Sequence, residues 1–197
     1  MAVDIETIKR LKSLTGVGLT DAKKALEEVD GDFDKAVENM RVKGMAKADK
    51  KSEREARSGI VDAYIHGDRI GVVLEVNCET DFVARTDDFK DFVHNVAMHI
   101  AASSPAYVSV DDIDEAVQAK EMELIAEELK NEGKPAEMIE KISDGKIKKW
   151  QSEVCLLNQP YIKNPDETVE EYLKTMVAKL GENIVIRKFA RIELGTN

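Results

Sequence analysis

Apolar residues recur every three or four positions along most of this chain, and they alternate every second position in only three short stretches. Residues 1 to about 40 read as three short helices. Asp4 caps the first, with Ile5, Ile8 and Leu11 facing inward. Thr15-Gly16-Val17-Gly18 ends it, because glycine accepts positive φ. Thr20 caps the second, with Ala22, Ala25, Leu26 and Val29 inward. Asp30-Gly31-Asp32 turns the chain again, and Phe33, Ala36, Val37 and Met40 stripe the third. Gly59–His66 and Arg69–Cys78 then alternate as two strands, joined by a Gly67-Asp68 loop that suits a type II′ turn. In the second strand Ile70, Val72, Leu74, Val76 and Cys78 share one face.

Helical spacing returns after Thr86, where Phe89, Phe92, Val93, Val96 and Ile100 line one side until Ser104-Pro105. Two acidic helical stretches follow, roughly 111–132 and 135–152, separated by Gly133 and Pro135. A last helix carries Val169, Tyr172, Leu173, Met176, Val177 and Leu180 and stops at Gly181, a plausible C′ glycine. Ile184–Leu194 reads as the final strand. Pairing that strand with the hairpin gives an antiparallel sheet covered by helices, an α+β fold. The three N-terminal helices resemble a ubiquitin-associated bundle. The expected division is therefore a bundle at 1–40, a linker at 41–57 and an α+β core at 58–197.

Charge sharpens that division. The net charge is −10, with 13 basic and 12 acidic residues through position 57 and 16 basic and 27 acidic ones beyond it. Residues 41–57 hold seven basic and three acidic groups and almost no large apolar side chain. Such a stretch has no face to bury and reads as a solvated tether, helical in part; its rival reading is a basic patch for RNA. A chain this acidic is a poor general binder of nucleic acid, since phosphate contacts need positive surface, and it is better suited to a protein partner. Aromatic residues are only 5% of the chain, so aliphatic helix packing is expected to dominate its core. No apolar run reaches the roughly 18–20 residues that span a bilayer. Met1-Ala2-Val3-Asp4-Ile5-Glu6 lacks a basic region and an apolar signal core, and Cys78 and Cys155 are too few for a disulfide scaffold. A cytoplasmic location is expected.

Catalytic chemistry finds little footing. Gly16-Val17-Gly18 with Lys23-Lys24 lacks the spacing of a phosphate loop and follows a helix rather than a strand. His94 and His99 are five apart, which sets them on different sides of a helix, unlike the i, i+4 pairs of metal sites. Cys78 ends a core-facing alternation and reads as a buried thiol rather than a nucleophile. Neither a metal nor a cofactor is expected, and no enzyme activity. The unusual residue is Phe82, in Thr80-Asp81-Phe82-Val83 just past the second strand. Either its ring folds back into the core, or it is presented to a partner as an anchor.

The run Leu74-Glu75-Val76-Asn77-Cys78-Glu79-Thr80-Asp81-Phe82-Val83-Ala84 resembles the signature of the translation elongation factor Ts family. Three more blocks resemble it, in the family's order. They are Thr15-Gly16-Val17-Gly18-Leu19-Thr20-Asp21-Ala22-Lys23-Lys24-Ala25-Leu26, Leu156-Leu157-Asn158-Gln159-Pro160-Tyr161-Ile162-Lys163 and Gly181-Glu182-Asn183-Ile184-Val185-Ile186-Arg187. The resemblance implies nucleotide exchange on GDP-bound elongation factor Tu. It implies that Asp81 and Phe82 form a wedge beside that GTPase's Mg²⁺ and phosphate sites, with Thr80 and Val83 setting its exit angle. It also implies a second grip through Lys9, Lys12, Leu19, Thr20 and Lys23 of the N-terminal bundle. Leu19 either docks on the partner or packs as a staple within the bundle. Longer family members carry a second core half and a coiled-coil insertion. This chain resembles the short form, for which a homodimer through residues 58–197 is expected, noncovalent because no cysteine lies near the terminal strand. The Gln159-Pro160 block is expected to be structural. Two rival readings are a ubiquitin-associated adaptor for another polypeptide and an enzyme using Cys78 or a histidine.

Overall fold

A computed structural model describes residues 3–196. It is a mixed α+β fold. Three helices come first: α1 (Ile5–Thr15), α2 (Leu19–Glu27) and α3 (Phe33–Asp49). Strands β1 (Ser58–His66) and β2 (Ile70–Cys78) follow, then α4 (Asp81–Ala84), α5 (Asp87–Ser103), α6 (Glu115–Asn131) and α7 (Ala136–Val154). The chain ends through β3 (Pro160–Tyr161), β4 (Asn164–Thr168), α8 (Val169–Leu180) and β5 (Ile184–Glu193). The main sheet has the order β1-β2-β5. A hairpin joins β1 to β2, and Leu194 N–H donates to Arg69 O at 2.8 Å, so the end of β5 meets the start of β2 and the pairing is antiparallel.

Contacts divide the chain into two compact units. One holds the chain up to Ala63 together with Leu74–Asn95 and Glu171–Arg187; the other holds Tyr64–Val73, Val96–Glu170 and the chain from Lys188. In the first unit Ile8, Leu11, Ala22, Ala25, Leu26 and Ala36 close a small core of their own. Asp4 caps α1 by accepting from Thr7 N–H, as the sequence implies, and Asp32 caps α3 from Lys35 N–H. Arg10 stacks on the Phe33 ring, 4.4 Å from its centroid. Thr86 Oγ1 accepts from Phe89 N–H at the start of α5, and Phe92 packs on Tyr172 with ring centroids 5.1 Å apart. In the second unit Ile125, Leu129 and Ile147 form the seam of the α6–α7 hairpin.

Several local expectations are corrected. Ile5 points outward, 66% exposed, because Ile8 and Leu11 alone fill the seam of α1. Thr20 is not a cap: α2 starts at Leu19, with Gly18 at the capping position and no side-chain cap. Gly16 takes the left-handed φ of 69°, while Gly18 is extended at −64°. At the β1–β2 turn both Gly67 (φ 53°) and Asp68 (φ 57°) are left-handed, and Arg69 N–H bonds His66 O at 3.0 Å. That is a type I′ turn rather than II′, a conformation the short polar side chain of Asp68 tolerates. The β3–β4 pair is too short to show alternation in the sequence.

The largest difference concerns residues 41–57. Helix α3 runs through Asp49, well past residue 40, and Ala48 and Ala56 are buried. Small residues rather than large ones make this packing. A Cβ on Gly44 would lie 3.3 Å from Ala178 Cβ of α8. Lys174 reaches Asp49 at 3.0 Å, and Lys51 Nζ donates to Gly181 O at 2.6 Å. The basic charge is partly spent on pairs within the protein, Lys43 with Glu28 at 2.5 Å and Arg54 with Glu79 at 3.5 Å among them.

Candidate functional site

The alternation of β2 ends with Val76 and Cys78 buried, and the chain then turns at once into the single helical turn α4. Thr80 stands at its N-cap in an extended conformation (φ −128°, ψ 156°). The four residues after the cap are sorted by exposure. Asp81 is exposed and paired to Arg85 at 2.9 Å, Val83 is half-buried, and Ala84 is buried. Phe82 is 80% exposed, the most exposed of the large apolar side chains among the described residues. The ring does not fold back into the core.

What fixes this turn is the segment after α8. Gly181 takes φ 79° and closes α8 by donating its N–H to Val177 O at 3.0 Å. That left-handed step brings Glu182 to Thr80, whose N–H and hydroxyl it accepts at 3.0 and 2.6 Å. Asn183 follows with its backbone N–H on Glu79 Oε1 at 2.7 Å. Its side-chain amide donates to Arg54 O at 2.7 Å and to Ser52 O at 3.2 Å. Arg187 Nε donates to Asn77 Oδ1 at 3.0 Å. Three blocks distant in the sequence, 51–56, 77–80 and 181–187, thus share one hydrogen-bond network. The sequence points to two of them as separate motifs and offers no signal that Glu182 and Asn183 serve Thr80 and Glu79.

The five N-terminal candidates sit on the surface of their own bundle. Lys9, Lys12, Thr20 and Lys23 are exposed, and Lys23 pairs with Glu27 at 3.7 Å. Leu19 is 53% exposed at the first position of α2. It stands outside the buried core of the bundle, formed by Ile8, Leu11, Ala22, Ala25, Leu26 and Ala36.

The remaining reactive groups are engaged. Cys78 Sγ is buried and donates to Thr80 O at 3.1 Å; burial first, and the Glu182 carboxylate second, push its thiol up to about 11. Burial also raises the Cys155 thiol. His94 meets Asp62 at 3.2 Å. His99 is fully buried: its Nδ1 accepts from Ile162 N–H at 3.3 Å, so Nε2 carries the proton donated to Gln159 Oε1 at 2.9 Å. Burial lowers its pKa. Gln159 in turn donates to Glu153 O at 2.7 Å, which fits a structural place for that block. A cleft lined by His66, Ile70, Ala101, Ser104, Arg191 and Glu193 has its cation already spent, on Ala101 O at 3.2 Å and Glu193 at 2.8 Å. Among the described residues no group of three or more His, Cys, Asp or Glu stands close enough to hold a metal ion, and no helix is long and apolar enough to cross a membrane.

The site is thus an α+β core that holds one exposed aromatic, Phe82, on a turn bonded to Glu182. The profile of the family described as Elongation factor TS matches residues 2–196. Elongation factor Ts of Carboxydothermus hydrogenoformans is 53% identical over 191 residues, 96% of this chain and 88% of that protein. That of Moorella thermoacetica is 52% identical over 189 residues, 95% of this chain and 93% of that protein. That of Caldanaerobacter subterraneus subsp. tengcongensis is 50% identical over 194 residues, 98% of this chain and 97% of that protein. The chain belongs to the elongation factor Ts family.

Proposed function

We propose that this protein is a guanine-nucleotide exchange factor that promotes GDP release from elongation factor Tu during translation in the cytoplasm. The observation that carries the reading is Phe82, 80% exposed on a turn braced from behind by Glu182. An aromatic ring held in water on a rigid support is poised to be buried by a partner. In this reading Asp81 and Phe82 enter the GTPase beside its Mg²⁺ and phosphate sites, Thr80 sets the exit angle, and Val83 supports the turn. The GTPase grips GDP through the metal and through backbone N–H groups around the phosphates. A wedge need only displace the groups that hold the metal for the phosphates to lose their cradle.

The bundle of residues 1–40 supplies a second grip, with Lys9, Lys12, Leu19, Thr20 and Lys23 facing the partner. The exposure of Leu19 supports that role. No bond is made or broken, so the protein acts as a binding catalyst and not as an enzyme. Coupling is reciprocal: GDP weakens the factor's hold by the factor's own effect on GDP, and the cellular GTP/GDP ratio sets direction. The core of residues 58–197 pairs with a second copy in a noncovalent homodimer. Exposed Ile65, Val73 and Ile192, one apolar side chain from each main strand, support this pairing.

Release of fluorescent GDP from elongation factor Tu tests the reading. Wild-type protein should accelerate release and Phe82→Ala should not. A wild type without effect on release would put the adaptor reading in its place.

A further inference from the structure

A helix of one turn has no stability of its own in water, because nucleation fixes several residues for a single hydrogen bond. α4 is four residues long, yet it carries Phe82 with four-fifths of its surface in water and little packing to steady it. Its steadiness comes from 102 positions away. Both oxygens of the Glu182 carboxylate accept from Thr80, one from the hydroxyl and one from the backbone N–H. With its proton committed to Glu182, the Thr80 hydroxyl turns its lone pairs to Val83 N–H at 3.5 Å. The carboxylate also lies at the N-terminal end of the turn, where negative charge is favoured. Hydrogen bonds to an ionised acceptor are roughly twice as strong as neutral ones. Asn183 has different partners, Glu79 and the Ser52 and Arg54 carbonyls, so the two neighbours divide the work.

We propose that Glu182 is a positioning residue for nucleotide exchange: by holding Thr80 through both oxygens it keeps Phe82 in the one orientation that enters the GTPase. The inference rests on the exchange reading above. Glu182 acts through the fraction of molecules whose turn is formed. If loss of the carboxylate lowers that fraction to about one in ten, effective engagement falls about tenfold. Glu182→Gln keeps one acceptor oxygen for Thr80 N–H, but its amide forces the Thr80 hydroxyl to accept instead of donate, and both bonds lose their ionised acceptor. It has nearly the same volume and leaves the Asn183 contacts in place.

The test is stopped-flow release of fluorescent GDP from elongation factor Tu by the full chain. Four proteins are compared: wild type, Glu182→Gln, Phe82→Ala and the double variant, with thermal unfolding of each. Glu182→Gln should unfold close to the wild type and lose roughly tenfold in exchange rate. The same change should cost nothing further once Phe82 is alanine. Wild-type exchange by Glu182→Gln, beside a defective Phe82→Ala, overturns the positioning role and leaves the wedge intact. An equal loss in both backgrounds also overturns it, since Glu182 would then act elsewhere. Undiminished exchange by Phe82→Ala overturns the wedge itself, and the positioning role with it. Should Glu182→Gln fail to fold, Thr80→Val removes the hydroxyl's bonds to Glu182 and to Val83 N–H and keeps the backbone bond to Glu182. A loss that vanishes in the Phe82→Ala background supports the proposal, and no loss overturns it.

Discussion

Leaving a phenyl ring in water costs free energy that a partner can recover, about 1.5–3 kcal/mol for full burial. Phe82 is the residue where that gain is waiting. Phe82→Ala should keep the wild-type thermal transition, since the ring makes no core contact, yet lose at least about tenfold of the exchange rate, as truncating a buried anchor does. Leu19→Ala should weaken binding of the GTPase with a smaller effect on the maximal rate, read from the dependence of release on factor concentration. Cys78 carries a different expectation. Its folded pKa of about 11 lies above the ordinary 9.0, so the folded state holds the proton longer than the unfolded one. Its contribution to stability is whole below pH 9 and is lost as pH rises from about 9 to about 11. Urea unfolding should therefore weaken over that window more steeply in the wild type than in Cys78→Ala. At this scale the sequence was half legible. Phe82 stood out by its neighbours, but aromatic residues are mostly buried, so its exposure needed the structure. Ile5 shows the converse, an apolar side chain in register with the seam yet left outside.

Elements built from local spacing are legible in the sequence, and those set by distant partners are not. The stripe of α5 and the alternation of β2 follow from their own residues, with Phe89, Phe92, Val93, Val72, Leu74 and Val76 buried. The helical run through residues 41–49 relies on small residues, Gly44 letting α8 approach and Ala48 buried, and no hydropathy pattern records that. The short β3–β4 pair is held beside a buried histidine for which only one tautomer fits. Protonating His99 would turn a second N–H against that of Ile162. Its folded pKa is below 6.5, so its contribution is whole above 6.5 and fades as pH falls below that value through the folded pKa. The fall in urea midpoint between pH 7.5 and pH 5 should be smaller in His99→Gln than in the wild type. The α6–α7 hairpin has a flaw of its own: Ser143 is buried beside Ile147 with its hydroxyl unbonded. Ser143→Ala should stabilise the protein by about 1 kcal/mol in urea unfolding, by removing an unsatisfied polar group and raising helix propensity.

For the whole molecule, the order of elements and the α+β class were legible, while the network that unites the signature blocks was not, because hydrogen bonds between remote segments leave no local trace. Equilibrium sedimentation tests the proposed homodimer: a dimer at micromolar concentration is expected, and Val73→Glu should yield monomers by placing charge at an exposed apolar position of β2. The brace behind Phe82 also sets a timetable. The helices of residues 5–40 close a core of their own and can form while the rest of the chain is still being synthesised. The bond between Thr80 and Glu182 closes 102 positions, and that between Ser52 and Asn183 closes 131. Neither exists until residues 182 and 183 have left the ribosome. A nascent chain arrested before residue 180 would hold a folded N-terminal bundle and an unbraced aromatic turn. A firmly held Phe82 would thus have to wait until residues 182 and 183 are made, and would then arrive in a single step.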